Sequence, residues 1–348
     1  MTRVRGWRFG RRCHLRPGLA LLLAGVALSP ATGCSDDSGA PAVDASNDDL
    51  DAATPPEPWD VLTMGCDTFG SAQRLGRLPE GLVEASGIVM SRTHDRVAWL
   101  HNDSSYDPII YGVNVDSGAL VATLRLDGAP ARDWEDISLG PCGDGDATCI
   151  YVGDIGDNRA THTSVRVHRV PEPATLELDS VTGSFETMRL TYPGGPMDAE
   201  AMVVDDAARV WIMGKDPARS LVVMAQFEDD ADVVATEHGE LPISALGLMG
   251  GLLVTGADWH EASARLIVRG YGQVFELRGE PGDGVGDVVS ADPIARRQGL
   301  ELQGEAIAWG PDGYYHVAEG SGAQLWRFVC AELLAQPARR RLGQSPHR

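Results

Sequence analysis

The chain has 348 residues, with 50 acidic against 29 basic side chains and a formal net charge of −21. A field of that sign repels nucleic acid and anionic surfaces and attracts cations or cationic ligands, so a nucleic-acid partner is excluded. The six arginines ahead of residue 33 have no acid among them, so the chain beyond is more acidic still.

In chain order, residues 1–33 read as an export signal. Arg3, Arg5, Arg8, Arg11, Arg12 and Arg16 form a basic start, and Leu19 to Leu28 is the one sustained apolar run. That run is too short to cross a hydrocarbon core of about 30 Å as a helix, but it suits a signal peptide. Ser29-Pro30-Ala31-Thr32-Gly33-Cys34 follows. A small residue directly before a cysteine resembles a bacterial lipobox, although Ala31 stands where Leu is usual. Lipidation at Cys34 would put several acyl chains on one residue, enough for a stable membrane anchor. Cleavage after Ala31, releasing a secreted protein, is the alternative. Either way the expected location is extracytoplasmic, and with the anchor it is the cell envelope. Residues 34–59 are rich in Asp, Ala, Ser and Pro, with no aromatic before Trp59. Such a stretch cannot offset its ordering entropy by burial and is expected to be a disordered tether.

Four cysteines remain beyond Cys13 and Cys34. Cys142 and Cys149 flank Gly143-Asp144-Gly145-Asp146, a turn sequence, and are expected to clip a hairpin. Cys66 then pairs with Cys330 by elimination, joining the two ends of the folded region in an oxidising compartment.

From residue 60 to 330, alternating β-type runs recur with turns between them, and no long stretch has a helical period. Aligned, they form a repeat of about 50–65 residues, the range of propeller blades. The first run opens with an acid and small residues: Glu84-Ala85-Ser86, Glu135-Asp136-Ile137, Glu200-Ala201-Met202, Gly256-Ala257-Asp258 and Glu305-Ala306-Ile307. The second is apolar and ends in polar residues, as in 97–103, 150–158, 210–216, 265–271 and 314–320, and a third apolar run follows each. The expected fold is all-β: a five-bladed β-propeller whose last sheet is completed by a strand between Val61 and Leu78, which removes the open edges. Six blades remain possible if the long unit from 135 to 200 hides another. Residues 331–348 are expected to form a short helix and a flexible basic tail.

In an up-and-down blade the start of the first strand and the end of the second lie at the same end, so the recurrent charged residues converge on one channel mouth. The candidates are Asp103, Asp133, Glu135, Asp136, Asp154, Asp157, Asn158, Asp198, Glu200, Lys215, Asp258, Arg269, Glu305 and Glu319. The plainer reading is that polar strand starts tie blades together and that Asp and Asn form turns. Turns, however, do not require Glu at the start of innermost strands. Crowded carboxylates raise one another's pKa unless a cation intervenes. Asp136, Asp157, Asn158, Glu200, Asp258 and Glu305 are therefore expected metal ligands, and oxygen donors of this kind favour Ca²⁺. Glu135 and Asp154 are the candidate base or further ligands. Lys215, the only lysine beside twenty-eight arginines, and Arg269 are the candidate anion holders. His101, His260 and His316 are single histidines without zinc-site spacing and read as structural. Trp99, Trp134, Trp211, Trp259 and Trp309 read as packing between blades.

DWEDISLG (133–140), YVGDIGDNRA (151–160), DAEAMVVD (198–205), MGKDP (213–217), TGADW (255–259) and QGEAIAW (303–309) resemble a widespread group of exported bacterial propellers over about residues 80–328. More distantly, Glu-Ala opening a strand is similar to phytase-like and lactonase-like propellers, which implies metal-dependent ester or lactone hydrolysis. Two functions follow as expectations. One is a monomeric, membrane-anchored protein whose Ca²⁺-bearing face binds a small anionic ligand, a glycan or a protein. The other is a metal-dependent hydrolase of anionic esters.

Overall fold

The computed structural model describes residues 62, 65–104, 106–143, 147–217, 219–242, 253–299 and 303–335. The expected signal, Cys34, the tether and the basic tail lie outside the described residues. No helix among the described residues is long and apolar enough to cross a membrane.

Five sheets, antiparallel apart from one added edge strand in each of two, stand in a ring, as the repeat predicts. β1 (Gln73–Arg77) is held back for the last sheet. Blade 1 is β2 (Ala85–Met90), β3 (Val97–Asn102), β4 (Ile109–Asn114) and β5 (Leu120–Leu126). Blade 2 is β6 (Trp134–Pro141), β7 (Thr148–Asp154), β8 (Val165–Pro171) and, after a short β9 (Ser180–Thr182), β10 (Glu186–Thr191). Blade 3 is β11 (Ala199–Val204), β12 (Arg209–Gly214), β13 (Leu221–Gln226) and, after β14 (Asp232–Val234), β15 (Thr236–Glu240). Blade 4 is β16 (Val254–His260), β17 (Arg265–Gly270), β18 (Gln273–Arg278) and β19 (Ile294–Arg296). Blade 5 is β20 (Gly304–Gly310), β21 (Gly313–Ala318) and β22 (Gln324–Val329), with β1 paired to β22. The first strand of the chain thus closes the ring.

The long unit from 135 to 200 holds no sixth blade. Its extra length carries β9, which pairs in parallel with β5 of the preceding blade. β14 does the same to β10 of blade 2. Each covers an outer edge that would otherwise expose unpaired backbone groups.

The innermost strands β2, β11 and β16 are buried along their whole length, and β6 and β20 at all but one residue each, because each is packed on both faces by a neighbouring blade, so they lack the alternation of a half-exposed sheet. Along β11, Met202 and Val204 face blade 2 while Ala201 and Val203 face blade 4. Five apolar clusters result, one at each blade interface. Trp99, Trp134, Trp211, Trp259 and Trp309 are all buried in the blades, Trp99 and Trp309 completely.

Both expected disulfides form: Cys66–Cys330 with Cα atoms 5.9 Å apart, and Cys142–Cys149 at 5.0 Å. Cys66 is further held by Arg265, whose Nη1 donates to its carbonyl at 2.5 Å. A short helix, Ala331–Ala335, follows Cys330.

Candidate functional site

One irregularity repeats in all five blades. The pairing of first and second strands slips by one residue at Ala85/Gly87, Trp134/Asp136, Ala199/Ala201, Val254/Gly256 and Gly304/Ala306. The residue left over is Ser86, Glu135, Glu200, Thr255 or Glu305. A β-bulge re-aims the side chain it carries, and here it places one polar residue per blade at the same level. Ser86 Oγ donates to the Glu135 carbonyl at 2.8 Å, and Thr255 Oγ1 donates to the Gly304 carbonyl at 2.8 Å, so these two hydroxyls tie neighbouring blades together. The three glutamates line a cavity of about 190 Å³ with Glu84, Ser86, Asp103, Asn158, Lys215, Tyr271, Gln303 and Glu319.

The ring is therefore Glu in three blades, and two sequence alignments need correction. Glu84 precedes the bulge, whose occupant in blade 1 is Ser86. Asp258 lies three residues beyond the blade 4 bulge at Thr255 and does not join the acidic mouth. Its Oδ1 accepts from the Trp259 N–H at 2.9 Å and its Oδ2 from the Trp309 N–H at 2.7 Å, which fastens blade 4 to blade 5. Asp136 lies one residue below the ring, fully buried. Its carboxylate accepts from the N–H groups of Ile137 (2.9 Å), Met202 (2.8 Å) and Ala257 (3.2 Å), linking three blades.

The GDIGDN segment builds one wall. Asp154, at the end of β7, accepts from the backbone N–H of Arg132 at 3.0 Å and of Asp133 at 2.7 Å. Asn102 does the same for Val83 and Glu84 in blade 1. Asp154 thus supports the mouth from beneath. Gly156 passes against the acids: a Cβ there would stand 2.5 Å from Asp133 Oδ2 and closer still to Glu135 Oε1. Asp157 is turned into its own loop, accepting from the His162 N–H at 2.5 Å, and its N–H donates to Asp198 Oδ1 at 3.3 Å. Asn158 reaches the cavity.

One carboxylate oxygen from each of Asp103, Asp133 and Glu135 lies within 4.8 Å of the other two. Burial pushes Asp103 up to about 6, and burial with Asp154 and Asp198 nearby raises Asp133. Glu135 is raised by burial and then by Glu200, Asp103 and Asp133. Burial lifts Glu200 to about 7 against the pull of Lys215, and burial with Glu200 lifts Glu305 to about 8. The mouth holds more carboxylates than it can ionise together at neutral pH without a cation.

Lys215 Nζ is bonded to Glu200 Oε1 and stands 5.0 Å from the centre of the Tyr271 ring. Burial opposes its charge, but Glu200 and Tyr271 outweigh that and raise its pKa. Arg269 does not line the cavity. Its guanidinium fills the place a side chain on Gly304 would occupy, beneath Glu305. Tyr271 and Gln303 carry no charge to mark them, although Tyr271 follows β17 as Lys215 follows β12 and Gln303 precedes β20 as Glu84 precedes β2. His101 is buried edge-on to Trp134, and His316 is stacked on Tyr314 and Phe328.

No family model and no curated protein matches this chain. Solved structures with a similar chain path include luciferin-regenerating enzyme, at 10% identity and a TM-score of 0.41, covering 74% of this chain and 95% of that one. Glutaminyl cyclase of Myxococcus xanthus gives 12% and 0.38, over 74% and 96% of the two chains. A catalytically inactive virginiamycin B lyase from Staphylococcus aureus, solved with quinupristin, gives 10% and 0.38, over 75% and 99%. At these scores the likeness is remote, and the chemistry has to be read from the residues themselves.

Proposed function

We propose that this protein is an extracytoplasmic binding propeller whose acidic mouth holds Ca²⁺ on Asp103, Asp133 and Glu135 and offers it, beside Lys215, to an anionic ligand. The observation that carries the reading is the trio itself. Oxygens sharing one Ca²⁺ at about 2.4 Å can stand up to about 4.8 Å apart, and one oxygen from each of these three lies within that limit of the other two. Asn158, lining the same cavity, supplies the neutral oxygen that such sites commonly include. Two disulfides fit an oxidising compartment, and the lipobox-like Cys34 would tether the propeller to a membrane.

The second reading is a metal-dependent hydrolase of anionic esters. It is favoured by the Lys215–Glu200 pair with Tyr271 beside Lys215 in the same cavity. A bound metal would polarise an ester oxygen there, and Lys215 would hold the charge that develops. A phosphoesterase and lactonase screen of the Ca²⁺-loaded protein separates the two. Turnover that is lost on chelation and in Glu135→Gln, with folding intact, favours the hydrolase. Bound Ca²⁺ without turnover favours the binding protein. Metal analysis that finds no tight ion, with no change in melting on adding EGTA or Ca²⁺, removes both.

A further inference from the structure

The innermost strands run from the acidic mouth to the other end of the channel. Met90, Leu139 and Trp259 each lie four residues beyond the bulge of their strand, about 13 Å along it at about 3.3 Å per residue. There a second cavity of about 350 Å³ opens, of different chemistry. Val89, Met90, Leu139 and Trp259 give it apolar walls from three blades. Among its described lining residues the one Lys or Arg is Arg92, exposed at the rim and within electrostatic reach of Asp258 and His260, which line the same cavity and are themselves buried. Asp206, also exposed, and Glu261 stand at the same rim. Glu261 is already engaged, since its Oε2 accepts from Trp259 Nε1 at 2.7 Å and from the Asp206 N–H at 3.3 Å. Arg92 lines the cavity, is exposed and has no hydrogen bond among the described residues, so its donors are free to meet a ligand there.

We propose that this lower mouth binds a small apolar zwitterion of the free amino-acid class. The carboxylate would take the Arg92 fork, where bidentate pairing is geometrically favoured. The ammonium would lie toward Asp206, and the side chain would pack on Trp259, Met90, Val89 and Leu139. Charge selects this class over a simple anion. The chain's net charge of −21 and the two rim carboxylates oppose any ligand of net negative charge, whereas a zwitterion is neutral overall and meets both signs. The cavity size is in the range of small-molecule sites, and its apolar walls suit an aromatic or branched side chain.

The test is calorimetric titration of the intact protein with L-phenylalanine and L-leucine, each beside its N-acetyl and its amide derivative. The site is expected to saturate with at least one free amino acid. Blocking either end should weaken binding about tenfold or more, the loss typical of a charge-assisted bond. Arg92→Ala should weaken it similarly with little change in melting temperature, because Arg92 is exposed and makes no hydrogen bond among the described residues. Glu135→Gln and EGTA should leave it unchanged, which separates this site from the acidic mouth. Saturation by neither amino acid, full affinity of the N-acetyl derivative, or wild-type affinity in Arg92→Ala would each overturn the proposal.

Discussion

Gly156→Ala adds a single carbon at the closest approach between the GDIGDN loop and the acidic trio. The new Cβ would stand 2.5 Å from Asp133 Oδ2, and nearer to Glu135 Oε1, where ordinary contact is about 3.5–4.0 Å. Either the two acids or the loop must shift by about 1 Å. The loop has little freedom to yield, because Gly156 N–H is bonded to the Asp133 carbonyl at 3.1 Å and Ile155 is fully buried beside it. Gly156 is not in the left-handed backbone region, so alanine brings no conformational strain and the cost is steric. Overpacking of this kind costs about 1–3 kcal/mol. Relieved by displacing the acids, it should weaken Ca²⁺ binding by about 5- to 150-fold, the equivalent factor at 298 K. Calorimetric Ca²⁺ titration reads the affinity, and urea unfolding in EGTA reads the cost to the fold. Wild-type Ca²⁺ affinity in a folded Gly156→Ala protein would refute the assignment of Asp133 and Glu135 as ligands.

Three further outcomes are expected. Asp103, Glu200 and Glu305 are pushed up by burial to about 6, 7 and 8, so the metal-free folded state holds protons that the unfolded chain has released. Their contribution to stability is full below the unfolded pKa values of 3.8 and 4.5 and is lost as pH rises through 6 to 8. The buried His101 and His260, pushed down to about 4, act in the opposite sense only below 6.5. Melting in EGTA should therefore fall between pH 6.5 and 8.5, and saturating Ca²⁺ should remove the fall; a rise in EGTA would contradict the burial of this ring. Asp136→Ala should cost at least about 3 kcal/mol in urea unfolding, because three buried N–H groups lose their acceptor at about 1–3 kcal/mol each, and a loss under 1 kcal/mol would mean that they find another. Replacing Cys66 and Cys330 by serine should cost about 5 kcal/mol in the chain-entropy model for a closed loop of this length, and near-wild-type stability would show that the contacts of β1 and Arg265 fasten the seam alone.

The blade repeat is legible because each first strand is a short apolar run between turns, and that pattern survives without alignment. The disulfides follow from counting, because a ring has to join its ends. The site is less legible because a one-residue bulge decides which side chain enters the channel, and a bulge leaves no mark in composition. Matching Glu84-Ala85 to Glu200-Ala201 sets blade 1 off by two residues. Matching Ser86-Gly87-Ile88 to Glu200-Ala201-Met202, Thr255-Gly256-Ala257 and Glu305-Ala306-Ile307 restores the register, and the signal is a polar residue followed by a small one. Asp136 and Asp258 look like ring acids in sequence but are turned on backbone N–H groups, which only the packing of neighbouring blades reveals. Tyr271 and Gln303 reach the cavity from the positions that Lys215 and Glu84 hold in other blades, and being uncharged they escape a reading that looks for acids and bases.

The most direct measurement is calorimetric titration of the metal-stripped protein with Ca²⁺ at pH 8, beside Asp103→Asn and Glu135→Gln. The expected result is one saturable site in the wild type, raised melting on loading, and loss of both in each variant while the fold persists. Absence of saturable Ca²⁺ binding in the wild type, or undiminished binding in both variants, would contradict the acidic mouth as a cation site and leave its carboxylates as ties between blades.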